Sequence, residues 1–284
     1  MKCLYCIPAL ILLYSSDSLS AGWESAPNHA GIAVLGGSLH VIGTTSPVWL
    51  WKVGSARTEF NREIKAGDNT LSVFMKEDVP LLLGKTKEAF DKTGKGSHAV
   101  PVIEFYRADN VPVDISWIPG SQGDGIVFLP VDNADTGARI GDVKIYAKAF
   151  GALALTEYGY DEDARITQTA GNNTTWPYVF NGGVMGMNSW KTQDGMDYIT
   201  RMSNGTVTAQ EIWQQLKNKT PLIPGNPVFA NENGFNDLLG DGFLYAGAYA
   251  LGIPKGNKLE LQFNAPVADI IRWKSSMTVK ITYL

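Results

Sequence analysis

The chain is predicted to be an all-β antiparallel sandwich carrying a partly helical insertion, and three observations carry that expectation. Short runs rich in β-branched and aromatic residues recur along the chain, each bounded by Gly, Pro, Asn or Asp. Several of these runs alternate polar and apolar residues, the signature of a strand with one buried and one wet face. Between residues 156 and 227 that texture gives way to Gly, Asn, Thr and scattered aromatics with helical patterning.

The first 22 residues read as a secretory signal peptide. Lys2 supplies a positive start, Leu4 to Tyr14 is apolar and Ser15 to Gly22 is small and polar. The apolar stretch is too short to span a bilayer, and cleavage is expected after Ser20 or Gly22. Both cysteines, Cys3 and Cys6, fall inside this leader, so the exported chain must be stable without a disulfide. A chain of about 260 residues is long enough to bury one sizeable core, or one core plus an insertion. Lys and Arg number 24 against 28 Asp and Glu, a net charge of -4; removing Lys2 and Asp17 with the leader leaves the balance unchanged. Such a balance gives no basic field for nucleic acid.

The segment 23–43 is read as an N-terminal extension that completes a neighbouring copy. In Gly31 to Val41 every second residue, Gly31, Ala33, Leu35, Gly37, Leu39 and Val41, is apolar or glycine, which describes a strand with one buried face. A Pro and Asn lead precedes it, and the Gly/Thr/Ser/Pro stretch Gly43 to Pro47 follows, so it is tethered rather than embedded. The remainder, 44–284, is then a sandwich short of one strand.

Within that domain, strands are expected at Trp49 to Val53, Thr70 to Met75, Val102 to Tyr106, Gly125 to Val131, Asp142 to Ala149, Phe243 to Leu251, Lys258 to Phe263 and Met277 to Tyr283. In the last of these, Met277, Val279, Ile281 and Tyr283 form one apolar face up to the penultimate residue. In the insertion, Thr208 and Glu211 have capping-box spacing, and Ile212, Trp213 and Leu216 follow as a helical stripe. A shorter helix is expected over 197–202, stopped near Gly205.

Motifs for chemistry fail on mechanics. Gly84-Lys85-Thr86 matches the end of a phosphate loop, but the first glycine of that motif would stand where Val79 does. Asp132 to Gly137 puts glycine at the sixth place of a calcium loop, yet Ala134 and Thr136 replace ligands and Val143 replaces the closing acid, so a hairpin turn is expected. Only His29, His40 and His98 are available as imidazoles, and no nucleophile, metal cage or cofactor site can be assembled from them. For sugar binding, aromatics amid amides are needed; Trp176, Tyr178, Asn181 and Trp190 supply that mixture, whereas Trp213 is better explained by packing in its helix. From the residues alone, a secreted lectin-like monomer or a glycan-active enzyme stands as the alternative to a polymerising subunit.

The chain also resembles FaeG-type fimbrial subunits, the adhesive pilins assembled by the chaperone-usher route in enterotoxigenic enterobacteria. The resemblance is carried by Leu35-Gly36-Gly37-Ser38-Leu39, Trp49 to Gly54, Leu82 to Phe90, Gly141 to Ala147, Ala248 to Ile253 and Val279 to Tyr283. It covers roughly 31–155 and 243–284. It implies an incomplete immunoglobulin-like sandwich, completed by donor strand exchange with identical or homologous subunits, and a place in a fimbria reached through the periplasm. It also implies a major or minor subunit, a periplasmic chaperone on Met277, Val279, Ile281 and Tyr283, an outer-membrane usher and, in a major subunit, a host glycoconjugate held by the insertion. The sequence departs from the family in ending on Leu284 rather than on a second aromatic, and in its divergent insertion.

Overall fold

A computed structural model of the chain describes residues 41–43, 48–54, 64, 67–91, 99–169, 179–186, 191–230, 242–268 and 271–283. Residues 41–43 are described by their backbone alone. The first strands are β1 (Val41–Gly43), β2 (Trp49–Val53), β3 (Thr70–Phe74), β4 (Val79–Thr86), β5 (Pro101–Arg107), β6 (Pro112–Val113) and β7 (Ser116–Trp117). They are followed by β8 (Asp124–Asn133), β9 (Arg139–Glu157), β10 (Tyr160–Gln168), and the helices α1 (Thr192–Met202) and α2 (Ala209–Lys219). The chain closes with β11 (Phe243–Ile253), β12 (Lys258–Phe263), β13 (Trp273–Lys274) and β14 (Met277–Tyr283).

Two sheets form the sandwich. The smaller has the order β1-β14-β5-β6, and the larger runs β13-β8-β9-β11-β4-β2 with β3, β7, β10 and β12 attached. The 19-residue β9 is the spine of the larger sheet. On one side it pairs with β8 and then β10; on the other it pairs with β12 over its first half and with β11 over its second.

Alternation along β9 and β11 places one core on each face of the sheet. Leu153 and Leu155 with Tyr245, Tyr249 and Leu251 turn inward, where they meet Ile103 and Phe105 of β5 and Val279 and Ile281 of β14. Phe150, Ala152 and Ala154 with Leu244, Ala246, Ala248 and Ala250 turn outward and are covered by α1 and α2. Alanine at five of those outward positions lets the helices lie close to the sheet.

The second helix forms as expected: Thr208 Oγ1 accepts from the Glu211 N–H at 3.1 Å, and Ile212, Trp213 and Leu216 are fully buried. Trp213 serves packing, its Nε1 donating to the Pro224 carbonyl at 2.9 Å. The other helix starts earlier than expected, at Thr192 rather than Asp197. Gly195 lies in the added turn and lowers intrinsic helicity, but Thr192, Gly195 and Met196 are all buried against the sheet, so tertiary packing sets this turn.

The segment with Gly84-Lys85-Thr86 is a strand, β4, between β11 and β2. Its Val79-Pro80-Leu81-Leu82-Leu83 start shows no alternation because most of the strand is buried on both faces, and Pro80 sits where the register with β11 shifts. Asp132 to Gly137 lies at the β8–β9 turn: Asn133 Oδ1 accepts from the N–H groups of Asp135 and Thr136, and Gly137 takes a φ of 73°.

Candidate functional site

The last strand, β14, has two unlike edges. One is paired antiparallel with β5 along its whole length, from Met277 opposite Arg107 to Tyr283 opposite Pro101. The other meets β1 in parallel register over three residues, Val41 opposite Val279, Ile42 opposite Lys280 and Gly43 opposite Ile281. Among the described residues no strand continues that pairing toward either end of β14. Met277, Val279, Ile281 and Tyr283 are buried beneath this edge, while Thr278, Lys280 and Thr282 are half-exposed on the outer face. Of the residues expected to form the donor strand, Val41 is the one within the described residues, and its backbone pairs inside its own chain. Gly31, Ala33, Leu35, Gly37 and Leu39 lie outside them.

An aromatic cluster supports β14 from within. Trp49 and Trp51 of β2 stack at 5.8 Å, and Phe180 meets Trp49 at 5.1 Å and Tyr249 at 5.0 Å. The Trp51 indole donates to the Tyr283 hydroxyl at 2.7 Å. Burial raises the Tyr283 phenol pKa well above its ordinary value, the Trp51 bond pulling the other way, so the group stays neutral and hydrogen-bonded.

Phe180 reaches this cluster only through an unusual backbone. It is a bulky residue with a φ of 64°, held by its N–H to the Pro101 carbonyl at 2.8 Å and by the neighbouring bond from Ile103 N–H to the Asn181 carbonyl at 2.9 Å. Gly182 follows with a φ of 81°, and a Cβ there would stand 2.2 Å from the Ile103 carbonyl oxygen. The Tyr249 hydroxyl closes the loop by donating to the Gly183 carbonyl at 2.7 Å. Asn181 is therefore pinned against β5. Trp176, Tyr178 and Trp190, its expected companions at a sugar site, lie outside the described residues.

On the outer face, Lys280 pairs with Glu104 across β14 and β5 at 3.1 Å and lies 6.0 Å from the Tyr106 ring centre. The Glu104 carboxylate raises the pKa of that ammonium. Asn181 and these outer β5 residues border a cleft of about 450 Å³ that also includes Asp114 and Trp117. Sequence reading misses these three because Tyr106 lies in β5, Trp117 in the two-residue β7 and Asp114 between β6 and β7, all far from the insertion in sequence. Among the described residues no cluster of His, Cys, Asp and Glu is arranged to hold a metal ion, and no helix is long and apolar enough to cross a membrane. The chemistry offered here is backbone pairing and packing.

A family model described as fimbrial, major and minor subunit, matches residues 1–284. The chain belongs to this fimbrial subunit family. The fimbrial subunit is 28% identical over 255 residues to K88 fimbrial protein AB of Escherichia coli, spanning 83% of its own length and 84% of the relative's. It is 28% identical over 251 residues to K88 fimbrial protein AD of Escherichia coli, with the same shares covered. To the F41 fimbrial protein of Escherichia coli it is 24% identical over 280 residues, covering 95% of the subunit and 94% of the relative. The fimbrial subunit is thus a structural protein of a surface fimbria that assembles with other fimbrial subunits, and the alternative of a glycan-active enzyme falls away.

Proposed function

We propose that the fimbrial subunit polymerises by donor strand exchange, the Gly31 to Val41 segment of one copy adding to the β14 edge of the next in place of that copy's own β1. The observation that carries this reading is the edge of β14, an apolar-faced strand of seven residues met, among the described residues, over three of them by a parallel neighbour. Strand addition supplies a backbone ladder along such an edge, and Ala33, Leu35, Leu39 and Val41 would each contribute roughly 1 to 3 kcal/mol on burial. Before assembly the same edge is an aggregation hazard. A periplasmic chaperone pairs with it through the strand bearing Met277, Val279, Ile281 and Tyr283 and hands the subunit to an outer-membrane usher, after export directed by residues 1–22. A host glycoconjugate is bound through Trp176, Tyr178, Asn181 and Trp190.

Deleting residues 23–42 tests the first part. The product should bind a peptide of sequence Gly31 to Val41 and fail to polymerise; polymer formation by the deletion overturns the reading. The pairing of β1 with β14 inside one chain favours a second reading, a closed monomer that needs no donor. Gel filtration of the exported protein, made with and without a periplasmic chaperone, separates the two. A stable monomer without chaperone supports the closed form, and aggregates or ladders support exchange.

A further inference from the structure

The helices cover the outer face of the larger sheet beside the second half of β9. Beside its first half, β8, β9, β12 and β3 lie side by side, and their outer face is open at both margins, where Phe128 of β8 is 55% exposed and Phe74 of β3 59%. A ring left in water on each margin of one face suits a contact surface.

The register fixes what stands beside what on this face. Phe128, Lys144, Glu260 and Ser72 form the middle row, with Pro130, Asp142, Gln262 and Thr70 on one side of it. Ile126, Tyr146, Lys258 and Phe74 form the row on the other side. The central charges are already satisfied: Glu260 accepts from Lys258 at 2.5 Å and from the Tyr146 hydroxyl at 2.7 Å, with Lys144 3.6 Å away. Covering them therefore leaves no charge buried alone. In these rows Lys144 and Lys258 balance Asp142 and Glu260, so a like face is not repelled. A shallow cleft of about 430 Å³ runs from Phe128 across to Ser72 and Thr70.

The pattern is complementary to itself. A two-fold axis lying along the strands, between β9 and β12, exchanges β9 with β12 and β8 with β3 while keeping each row. Lys144 of one copy then faces Glu260 of the other, and Glu260 faces Lys144. Phe128 descends on Ser72, the small residue in the cleft, Phe74 meets Ile126, and Tyr146 meets Lys258. An axis across the strands would instead set Lys144 on Lys144 and Glu260 on Glu260, a juxtaposition that like charges disfavour. Four strands about 4.8 Å apart, crossed by three rows about 6.8 Å apart, span about 400 Å² per copy, roughly half the area per partner of a stable complex. Single subunits therefore stay apart, whereas a fibre that repeats the face engages many contacts at once.

The geometry points to the outer face of β8, β9, β12 and β3 as a lateral contact between fibres, a two-fold pairing with a second copy in which Phe128 sits over Ser72 and Lys144 stands opposite Glu260. The inference rests on assembly of the subunit into fimbriae and not on how strands are exchanged.

Purified fimbriae of the parent, Phe128→Ser, Glu260→Lys and Lys144→Glu are sedimented at low speed and viewed by electron microscopy. The parent should pellet as bundles, and each variant should form fibres of parental length that pellet roughly tenfold less or lower still. Glu260→Lys fibres mixed with Lys144→Glu fibres should bundle again, because lysines on one face then meet carboxylates on the other in the same register. Parent fibres that stay single, variants that pellet like the parent, or a mixture that stays dispersed each overturn the contact. Fibre length in the same micrographs separates a failure of assembly from a failure of contact. Should a charge variant yield no fibres, Ser72→Trp fills the place that Phe128 of the second copy would take; loss of bundling by its fibres supports the pairing, and parental bundling overturns it.

Discussion

The Trp51 indole N–H donates to the Tyr283 hydroxyl across 2.7 Å of buried space, joining residues 232 positions apart. It ties β2, an edge strand of the larger sheet among the described residues, to the C-terminal end of β14. Tyr283→Phe removes the acceptor and strands the indole N–H, so the subunit should lose about 1 to 3 kcal/mol. Adding Trp51→Phe should give a double variant less destabilised than the sum of the singles, because no orphan donor then remains. Chemical denaturation of the four proteins measures this; simple additivity would show that the bond contributes nothing.

Tyr283→Ser tests the same strand in the cell. Synthesis should be unchanged, while recovery of the subunit from the periplasm and its capture by a chaperone should both fall. Equal recovery of variant and parent would remove β14 from the chaperone contact.

Gly195 lets α1 rest on the sheet. An added Cβ would lie 2.2 Å from Cζ of Phe150 and 2.4 Å from both of its ε carbons. Intrinsic propensity favours alanine over glycine in a helix by about 1 kcal/mol, yet the contact should win and Gly195→Ala should destabilise by about 1 to 3 kcal/mol. Combining it with Phe150→Leu should recover part of the loss in a thermal melt. A melt showing the Gly195 variant more stable than the parent would mean the helix lifts away freely.

Much of the fold is legible in the chain where one face of an element is wet. The alternation of Lys258 to Phe263 and of Met277 to Tyr283 marks both strands and their inward faces, and the Thr208 cap marks α2. What stays hidden is hidden by tertiary burial: β4 and the second half of β9 are covered on both faces, so their apolar runs have no period to read. The first turn of α1 depends on Phe150, 45 residues away. For the candidate sites, Asn181 is picked out by composition, but its neighbours Tyr106, Asp114 and Trp117 are brought to it only by the pairing of residues 180–181 with β5, which no local pattern encodes.

The helical layer is keyed to the sheet by Thr86 and Gln215. Thr86 Oγ1 donates to Gln215 Oε1 at 2.5 Å and accepts from the Gly247 N–H at 3.0 Å, while Gln215 Nε2 donates to the Thr86 carbonyl at 2.9 Å. Next to it, Lys85 and Glu211 form a partly exposed ion pair at 2.6 Å. Thr86→Val leaves buried partners unmet and should cost about 1 to 3 kcal/mol, whereas Glu211→Ala should cost at most about 1 kcal/mol. Denaturant titrations that rank the two in the opposite order would reverse this account of how α2 is held.

Three of the buried phenols, Tyr198, Tyr249 and Tyr283, make alkaline stability the last expectation. Tyr198 donates to the Lys148 carbonyl at 2.6 Å, Tyr249 to the Gly183 carbonyl at 2.7 Å, and Tyr283 accepts from Trp51. Burial raises all three pKa values in the folded subunit. A raised folded pKa means that the stabilisation is complete below the unfolded value and is lost as the pH climbs above it. Unfolding free energy should therefore be insensitive to these groups up to about pH 10, the ordinary phenol value, and then fall, each phenol contributing up to about 1.4 kcal/mol per pH unit as the unfolded chain ionises. Tyr249→Phe should start lower at neutral pH, having lost its bond to Gly183, yet decline less steeply above pH 10, so that the two curves converge. Denaturation series from pH 8 to about 11.5 decide the matter: curves that remain parallel throughout would mean that Tyr249 ionises as readily in the folded subunit as in the unfolded chain.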